Sequence, residues 1–415
     1  MLWKNRPFVK MFLAYGLSAF GDWFDFMAVS ILMGYIWQEG PLMIALLPLS
    51  FAVPGILFSQ FAGILADRWN KRNVMIATDV IRGAITVLMI FSPNAWVMLG
   101  LIALRSTARV FHYPAQQAMT RQVVAEDQLL QATSLNGTVF QLSKVLGPLL
   151  GATLASSFSP ALCMGVNATS FFISAMLLLM IQAMHGESTS AVAQTAGRIR
   201  LHQAWREGWG LLLSRRILFV TVFFALVAMF AIQLIDAQFT VLMRDIAPDR
   251  PELVGWVVTA VGLGGLVTVT WLQRLKQLTA YGWIFGGGIT LIGVMFAFSG
   301  LYQPHMHPIW MLLAAFIGGI GTGFTFVGTT YVLQKETPES AVGRVSGIYD
   351  SLTSTILILA PLSGGLIIEQ WGAAFSFSFV GVLICVIGLI GLIFQRFLWG
   401  KRQEKLLHFG QNPLV

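Results

Sequence analysis

Long stretches of this chain run without a single charged side chain. Asp, Glu, Lys and Arg are absent from residues 40–66, 83–104, 145–186, 217–235, 253–273, 277–334, 351–368 and 370–395. A helix crossing the hydrocarbon of a bilayer needs about 20 apolar residues, so runs of this length predict membrane-spanning helices. The run 145–186 holds two, broken at Ser156-Ser157-Phe158-Ser159-Pro160, and 277–334 holds two or more, broken at Tyr302-Gln303-Pro304-His305-Met306-His307-Pro308. Adding the polar-spotted spans gives twelve: about 8–37, 41–66, 73–92, 95–116, 130–157, 160–183, 216–243, 253–273, 279–300, 308–333, 343–368 and 372–397. The pattern predicts an all-α polytopic membrane protein.

Composition agrees. Of 415 residues, 56% are apolar and 11% charged, with a mean hydropathy of +0.74, whereas a soluble domain carries about 25% charged residues. The net charge of +8 would suggest nucleic acid in a soluble chain, but its distribution speaks for membrane topology instead. With Met1 inside, 20 Lys and Arg fall on cytoplasmic segments and two, Arg244 and Arg250, on outer loops. Both termini are therefore expected in the cytoplasm. Lys4, Arg6 and Lys10 ahead of an apolar run mimic a signal peptide, yet Asp22 and Asp25 interrupt that run. An uncleaved first helix is expected. Cys163 and Cys385 both fall in apolar spans, so no disulfide framework is indicated.

Residues 185–215 form the one long polar stretch, suited to a cytoplasmic linker in which Leu201 to Leu213 makes an amphipathic helix. Six spans lie on either side. The expected organisation is a six-helix bundle over 1–184, the linker 185–215, a second six-helix bundle over 216–398, and a cytoplasmic tail over 399–415. At an offset of 213, Glu126 matches Glu339, Pro148 matches Pro361 and Gly151 matches Gly364, while Asp22 falls one residue from the equivalent of Asp236. Repeated bundles of this kind hold substrate between the halves near the midplane and rock around it.

The segment Gly63-Ile64-Leu65-Ala66-Asp67-Arg68-Trp69-Asn70-Lys71-Arg72 reads as a short charged loop, which must lie at a membrane face. Its spacing resembles the loop between helices 2 and 3 of the major facilitator superfamily, with Asn70 where that pattern has Gly; Asn also tolerates left-handed backbone. Gly147-Pro148-Leu149-Leu150-Gly151 resembles the helix 5 element of the superfamily's exporters. Thr78-Asp79-Val80-Ile81-Arg82-Gly83, then Arg105 with Phe111-His112-Tyr113-Pro114-Ala115, then Pro338-Glu339 and Gly343-Arg344 resemble the branch containing macrolide efflux proteins and the enterobactin and bacilysin exporters. Gly21-Asp22 is also similar to the lysophospholipid transporter. The resemblance implies a major facilitator fold and outward transport of a small molecule, with no enzymatic activity.

Five acids (Asp22, Asp25, Asp79, Asp236 and Asp350) and four bases (Arg82, Arg105, Arg109 and Lys144) lie within the spans. Each ion costs at least about 2.5 kcal/mol at the centre of an isolated helix, so partners or water are expected. From the depth along each helix, Asp79, Arg109 and Asp350 fall in the inner third and Arg82 and Arg105 nearer the midplane; this inner set, grouped with Arg344 and the 63–72 segment, is read as a gate in which Asp79 and Arg109 pair. Asp22, Asp25, Lys144 and Asp236 form an outer set, read as the proton-coupling site. There Asp22 or Asp236 carries the proton, and Asp25, about one turn nearer outer water, titrates normally. A static ion network and a permanent Lys144–Asp pair are the competing readings.

Phe24, Phe26, Phe140, Phe324, Phe326 and Tyr349, with Asn136, Gln141, Asn167, Gln233 and Gln238, suit an apolar cavity with scattered hydrogen-bonding groups for a bulky amphipathic cargo. His305 and His307 lack further ligands and read as a solvated turn, so no metal is expected. No phosphate-binding loop or nucleophile motif occurs, so neither ATP nor another cofactor is expected. The expected partners are a small-molecule substrate, protons and lipid, not nucleic acid, and the expected state is a monomer. The function read from these residues is proton-driven export of a drug, antibiotic or siderophore-like molecule by alternating access. A lysophospholipid flippase, an uptake symporter and a non-transporting sensor of the same fold stay open.

Overall fold

The computed structural model describes residues 2–181, 201–275, 277–338 and 341–400, and at 60, 61, 63–68 and 201–205 the backbone alone. Linker residues 185–200, Glu339 and the tail from residue 401 lie outside the described residues. All regular structure among the described residues is helical. The helices are α1 (Arg6–Ile31), α2 (Pro41–Arg68), α3 (Lys71–Ile90), α4 (Ala95–Val123), α5 (Leu129–Ser157), α6 (Pro160–Leu179), α7 (Leu201–Ser214) and α8 (Arg216–Ile235). They continue with α9 (Phe239–Ile246), α10 (Glu252–Leu272), α11 (Gly288–Leu301), α12 (Ile309–Glu336), α13 (Val342–Trp371), α14 (Ala373–Ile393) and α15 (Gln395–Trp399). Eleven helical segments are long and apolar enough to cross a membrane. Helix α4, 29 residues long, is not among them. It carries Arg105, Arg109 and Arg121 along its length, which lowers its hydropathy.

Polar caps set the short turns. Asn5, Asn94 and Ser159 each accept a hydrogen bond from a backbone N–H three residues on, opening α1, α4 and α6. Helix α2 continues through Asp67 and Arg68, so the segment read as a ten-residue loop is mostly helix, and only Trp69 and Asn70 turn the chain. Asn70 adopts extended rather than left-handed backbone, with φ −65° and ψ 113°, and its side chain accepts from Asn73 N at 3.2 Å. It is a helix cap, and that role needs no glycine. The span expected to run unbroken over 216–243 is interrupted by a tight 3₁₀ turn at Asp236–Gln238, after which α9 begins.

The chain divides into two compact units, Met1–Ala196 with Ala237–Thr259, and Gly197–Asp236 with Ala260–Val415. In the first, α1 packs on α5 and α6, α3 on α4 and α6, and α2 on α4. A core of Met27, Ile31, Met33, Met89, Met98, Ile102 and Met164 lies among them. In the second, α11 packs on α12 and α14, and α13 on α8 and α7.

Close backbone approach organises each unit. A β-carbon at Gly151 would sit 2.9 Å from Phe24 Cα, so α5 lies directly on α1. At the matching position of the second unit, a β-carbon at Gly364 of α13 would run into the carbonyl oxygen of Leu234 on α8. The two glycines, 213 positions apart, each bring two helices of their own unit into backbone contact, α5 on α1 and α13 on α8. A similar seam joins α14 to α11 and the turn before it: Gly286 faces Gly388, Gly293 faces Gly381, and Gly300 faces Ala374 and Ser378, and a β-carbon at Gly293 would lie 2.5 Å from the backbone nitrogen of Cys385. Small residues that let backbones meet are the usual adhesive between membrane helices.

Gly364→Val forces α13 off α8 and is expected to cost about 1–3 kcal/mol, read as a lowered thermal midpoint of the detergent-purified protein. Gly347→Ala, where a β-carbon meets nothing within 4 Å, is expected to leave the midpoint unchanged or raise it.

Candidate functional site: a buried ion network

Helical spacing gathers the charges of the first unit onto facing surfaces. Asp22 and Asp25 are three apart on α1, Asp79 and Arg82 three apart on α3, and Arg105, Arg109 and His112 follow i, i+4, i+7 on α4, so each set shares a face. Gly21 makes the assembly possible: a β-carbon there would collide with Asn167 Oδ1 and lie 2.6 Å from Ser170 Oγ. Helix α1 thus presses onto α6 and delivers Asp22 to α3.

Arg82 donates through Nη2 to both oxygens of Asp22, at 2.9 and 3.0 Å, and its Nη1 lies 3.6 Å from Asp79 Oδ1. Its guanidinium stacks 4.0 Å above the Phe171 ring of α6, a favourable place for a weakly hydrated cation. Arg105 donates to Asp25 Oδ2 at 2.7 Å and to Thr86 Oγ1 at 3.2 Å. Thr86 in turn donates to the Arg82 carbonyl at 2.8 Å, joining the two pairs. Ser174 of α6 donates to Asp79 Oδ2 at 2.5 Å, and His112 Nδ1 lies 3.2 Å from Asp79 Oδ1. Arg109 completes the set 3.6 Å from Asp22 Oδ2. With His112 neutral, the charges of the three acids and three arginines cancel. The network is therefore tolerable in a low-dielectric interior.

These contacts redraw the expected assignment. Asp22 and Asp25 do not form an outer set with Lys144; they belong to the same network as Asp79, Arg82, Arg105 and Arg109. Asp25 is fully buried at 0% exposure against Arg105, not a normally solvated acid. The better exposed acid is Asp22, at 23%. Asp79 and Arg109 do not form a pair: Asp79 meets Arg82 and His112, and Arg109 meets Asp22. Depth along a helix sets height in the membrane, whereas the pairing depends on rotation about the helix axis. Lys144 is exposed on α5 and forms no ion pair among the described residues. Asp236 is exposed in the turn after α8, and Asp350 is exposed on α13; both belong to the second unit. Arg344 pairs with Glu207 of α7. His112, Thr86, Phe171 and Ser174 went unread in the sequence, although the i, i+7 spacing of Arg105 and His112 carries a signal for the first.

The side chains of Gly63, Asp67 and Arg68 lie outside the described residues. Arg72 donates to the carbonyls of Leu178 and Leu179 at 3.0 and 2.6 Å, and Lys10 to that of Met180 at 2.7 Å. Both cap the C-terminal end of α6, where positive charge is favoured. Gly147 and Gly151 of the helix 5 element face Trp23 and Phe24 of α1, while the Pro148 carbonyl and Ala152 meet Gly255 of α10.

Several residues expected in a cavity are packing residues instead. Phe24 and Phe26 pack against the first unit's apolar core, Phe26 5.8 Å from Phe51. Asn167 is fully buried behind Gly21. Gln238 is fully buried and donates to the Pro41 carbonyl at 2.9 Å. Phe324 of the second unit meets Trp271 edge-on at 6.0 Å; Gln233 and Tyr349 are half-buried, and Phe326 is exposed. On α5, however, Thr133, Gly137, Gln141 and Lys144 are all exposed along one stripe, flanked by half-buried Asn136 and exposed Phe140. His305 and His307 are exposed in their turn, and no cluster among the described residues suits a metal ion.

A paired ion network inside a bundle of membrane-crossing helices, with an exposed polar stripe on α5, fits a membrane transporter. A family model described as transmembrane secretion effector matches residues 3–414, and the chain belongs to this family of major facilitator transporters. It is 28% identical over 410 residues to the uncharacterized MFS-type transporter YfiS of Bacillus subtilis, covering 97% of this chain and 96% of that one. It is 21% identical over 350 residues to macrolide efflux protein A of Streptococcus pyogenes, covering 81% of this chain and 84% of that protein. Among solved structures it resembles the nucleoside transporter NupG in fold, with a TM-score of 0.69 at 14% identity over 97% of this chain and 100% of that one. The protein is a transporter and not an enzyme; its substrate is a small molecule and its environment a membrane.

Asp25→Asn leaves Arg105 buried without its counter-ion, and Arg105→Gln does the converse; each is expected to cost about 3–5 kcal/mol. The double variant is expected to recover at least about 1 kcal/mol of the summed loss, measured by thermal unfolding. Strictly additive losses would show the pair to be uncoupled.

Proposed function

We propose that this protein exports a small amphipathic molecule across the bacterial inner membrane in exchange for protons, by alternating access. In this reading twelve helices span the membrane as two six-helix bundles joined by the cytoplasmic linker, with both termini in the cytoplasm, and the protein acts as a monomer. The observation that carries the reading is the charge-balanced network on α1, α3 and α4, in which one carboxylate, Asp22, is shared by two arginines and reaches the surface of its unit. Protonating Asp22 neutralises the shared acid and unbalances Arg82, so a proton changes the preferred pairing inside the bundle. That is the requirement for coupling: a ligand shifts a two-state equilibrium only by its differential interaction with the two states.

The polar stripe of α5 supports a wet path beside this network, since polar faces of membrane helices turn to water or to partners. The resemblance to a macrolide efflux protein supports a bulky, partly apolar cargo and an outward direction. The drive is sufficient. One charge moving down 100 mV yields about 2.3 kcal/mol and each pH unit about 1.4 kcal/mol, which together sustain a cargo gradient of at least roughly a hundredfold.

Inside-out vesicles with an acidified lumen are the direct test, using erythromycin as a macrolide and ethidium as an amphipathic cation. Accumulation of a probe at least tenfold above that in vesicles without a gradient, lost on adding a protonophore, is the expected result. Asp22→Asn is expected to abolish the uphill accumulation while leaving downhill exchange, because the path remains and the carrier is gone. Accumulation indifferent to the proton gradient would sink the proposed drive.

A further inference from the structure

His112, the network's one imidazole, has no part in the cycle just described. His112 is 13% exposed, and its Nδ1 faces two oxygens, Thr78 Oγ1 at 3.0 Å and Asp79 Oδ1 at 3.2 Å. Thr78 places its one hydroxyl hydrogen on the carbonyls of Val74 and Met75, at 2.8 and 2.9 Å, so towards the ring its oxygen accepts. Both neighbours of Nδ1 are acceptors. This arrangement favours the tautomer with the hydrogen on Nδ1, which leaves Nε2 as the position that gains and loses the exchangeable proton.

Asp79 is the acid that makes this consequential. It is fully buried, Ser174 satisfies its Oδ2, and its Oδ1 completes no hydrogen bond among the described residues. The charged groups around the imidazole are Asp79 and Arg82 from α3, Asp22 from α1 and Arg109 from its own helix. Arg82 is engaged by Asp22 and reaches Asp79 only at 3.6 Å, while Arg109 sits on Asp22. Asp79 is thus the network carboxylate with no arginine at hydrogen-bond distance, and the nearest cationic group to its bare oxygen is an imidazole that gains or loses charge.

We propose that His112 and Asp79 form a second proton-holding site, working in alternation with Asp22; the proposal rests on the proton-driven reading above. A proton from water binds Nε2 of the neutral ring, one N–H bond forms, and the resulting imidazolium neutralises Asp79. When a second proton binds a carboxylate oxygen of Asp22, Arg82 is released and closes its short gap to Asp79. Asp79 then has a permanent cation, and the Nε2 proton leaves to water. One proton enters at Asp22 and one departs from His112, and the bundle's net charge is the same before and after.

The test needs no cargo. The full-length protein in nanodiscs, labelled at its six histidines, is titrated by nuclear magnetic resonance, with His112→Asn, or His112→Gln should that variant fail to fold, identifying the His112 signal. The midpoint is expected to fall by about one pH unit or more in Asp79→Asn, which removes the charge that favours the imidazolium. It is also expected to fall in Asp22→Asn, which mimics the protonated acid and frees Arg82. A His112 midpoint indifferent to Asp79→Asn overturns the site, and one that moves there but not in Asp22→Asn overturns the alternation. In the vesicle assay, His112→Asn is expected to lose at least tenfold of gradient-driven accumulation of erythromycin or ethidium while retaining downhill exchange. Full accumulation by that variant overturns a transport role. A wild-type protein unresponsive to the gradient would defeat the proton-driven reading, and the two midpoints would still decide the site.

Discussion

Arg82 occupies the most demanding position in the first unit. Its side chain is only 4% exposed in a bundle built to meet lipid, where an unpaired cation is far costlier than in water. Three different helices meet that demand: α1 supplies Asp22, α3 supplies Asp79, and α6 supplies the face of Phe171. Because Asp22 and Phe171 come from helices other than Arg82's own, the guanidinium fixes how far α1 and α6 are rotated towards α3. Arg105 does the same one level along, tying α4 to α1 through Asp25 and to α3 through Thr86. The apolar surfaces favour insertion and association; the arginines select one arrangement among the many that would bury the same area.

Electrostatics and packing are not separable here. Asp22 reaches Arg82 because Gly21 lets α1 lie against Asn167 and Ser170, and α1 is held from its other side by Gly147 and Gly151. Adding bulk at any of these would lift the helix by a fraction of its diameter, enough to stretch a 2.9 Å ion pair beyond useful range. The network draws on three acids and three arginines, so altering one member leaves its partner unmatched. A single added proton is such an alteration, which makes the same feature suited both to holding a structure and to switching it.

Much of this was legible in the sequence. The charge-free runs placed the helices to within a few residues at most ends, and the spacing around Gly63–Arg72, Gly147–Gly151 and Asp79–Gly83 pointed to the right family. The charged residues themselves were also singled out. Their partners were not, because 1.5 Å of rise per residue locates a side chain in height but says nothing of which neighbour it faces. Asp25 thus looked nearer to water than Asp22 and proved the more buried of the two. Lys144 pairs with neither Asp22 nor Asp25, since its neighbours Ser143 and Val145 take the buried side of α5. The break at Asp236–Gln238 left no trace either: no glycine or proline marks it, and Gln238 is held by the Pro41 carbonyl, a partner remote in sequence. His112 was hidden by its company, one imidazole beside two more conspicuous arginines.

The glycine seam between α11 and α14 has a mechanical meaning. Its members recur every seven residues, at 286, 293 and 300 on one side and at 381 and 388 on the other. Sliding one helix along the other by a single residue would drive β-carbons into carbonyl oxygens, and the next register that matches glycine to backbone lies about 10 Å away. The pair is geared rather than greased. Sliding along this seam is costly, so the two helices are expected to move together.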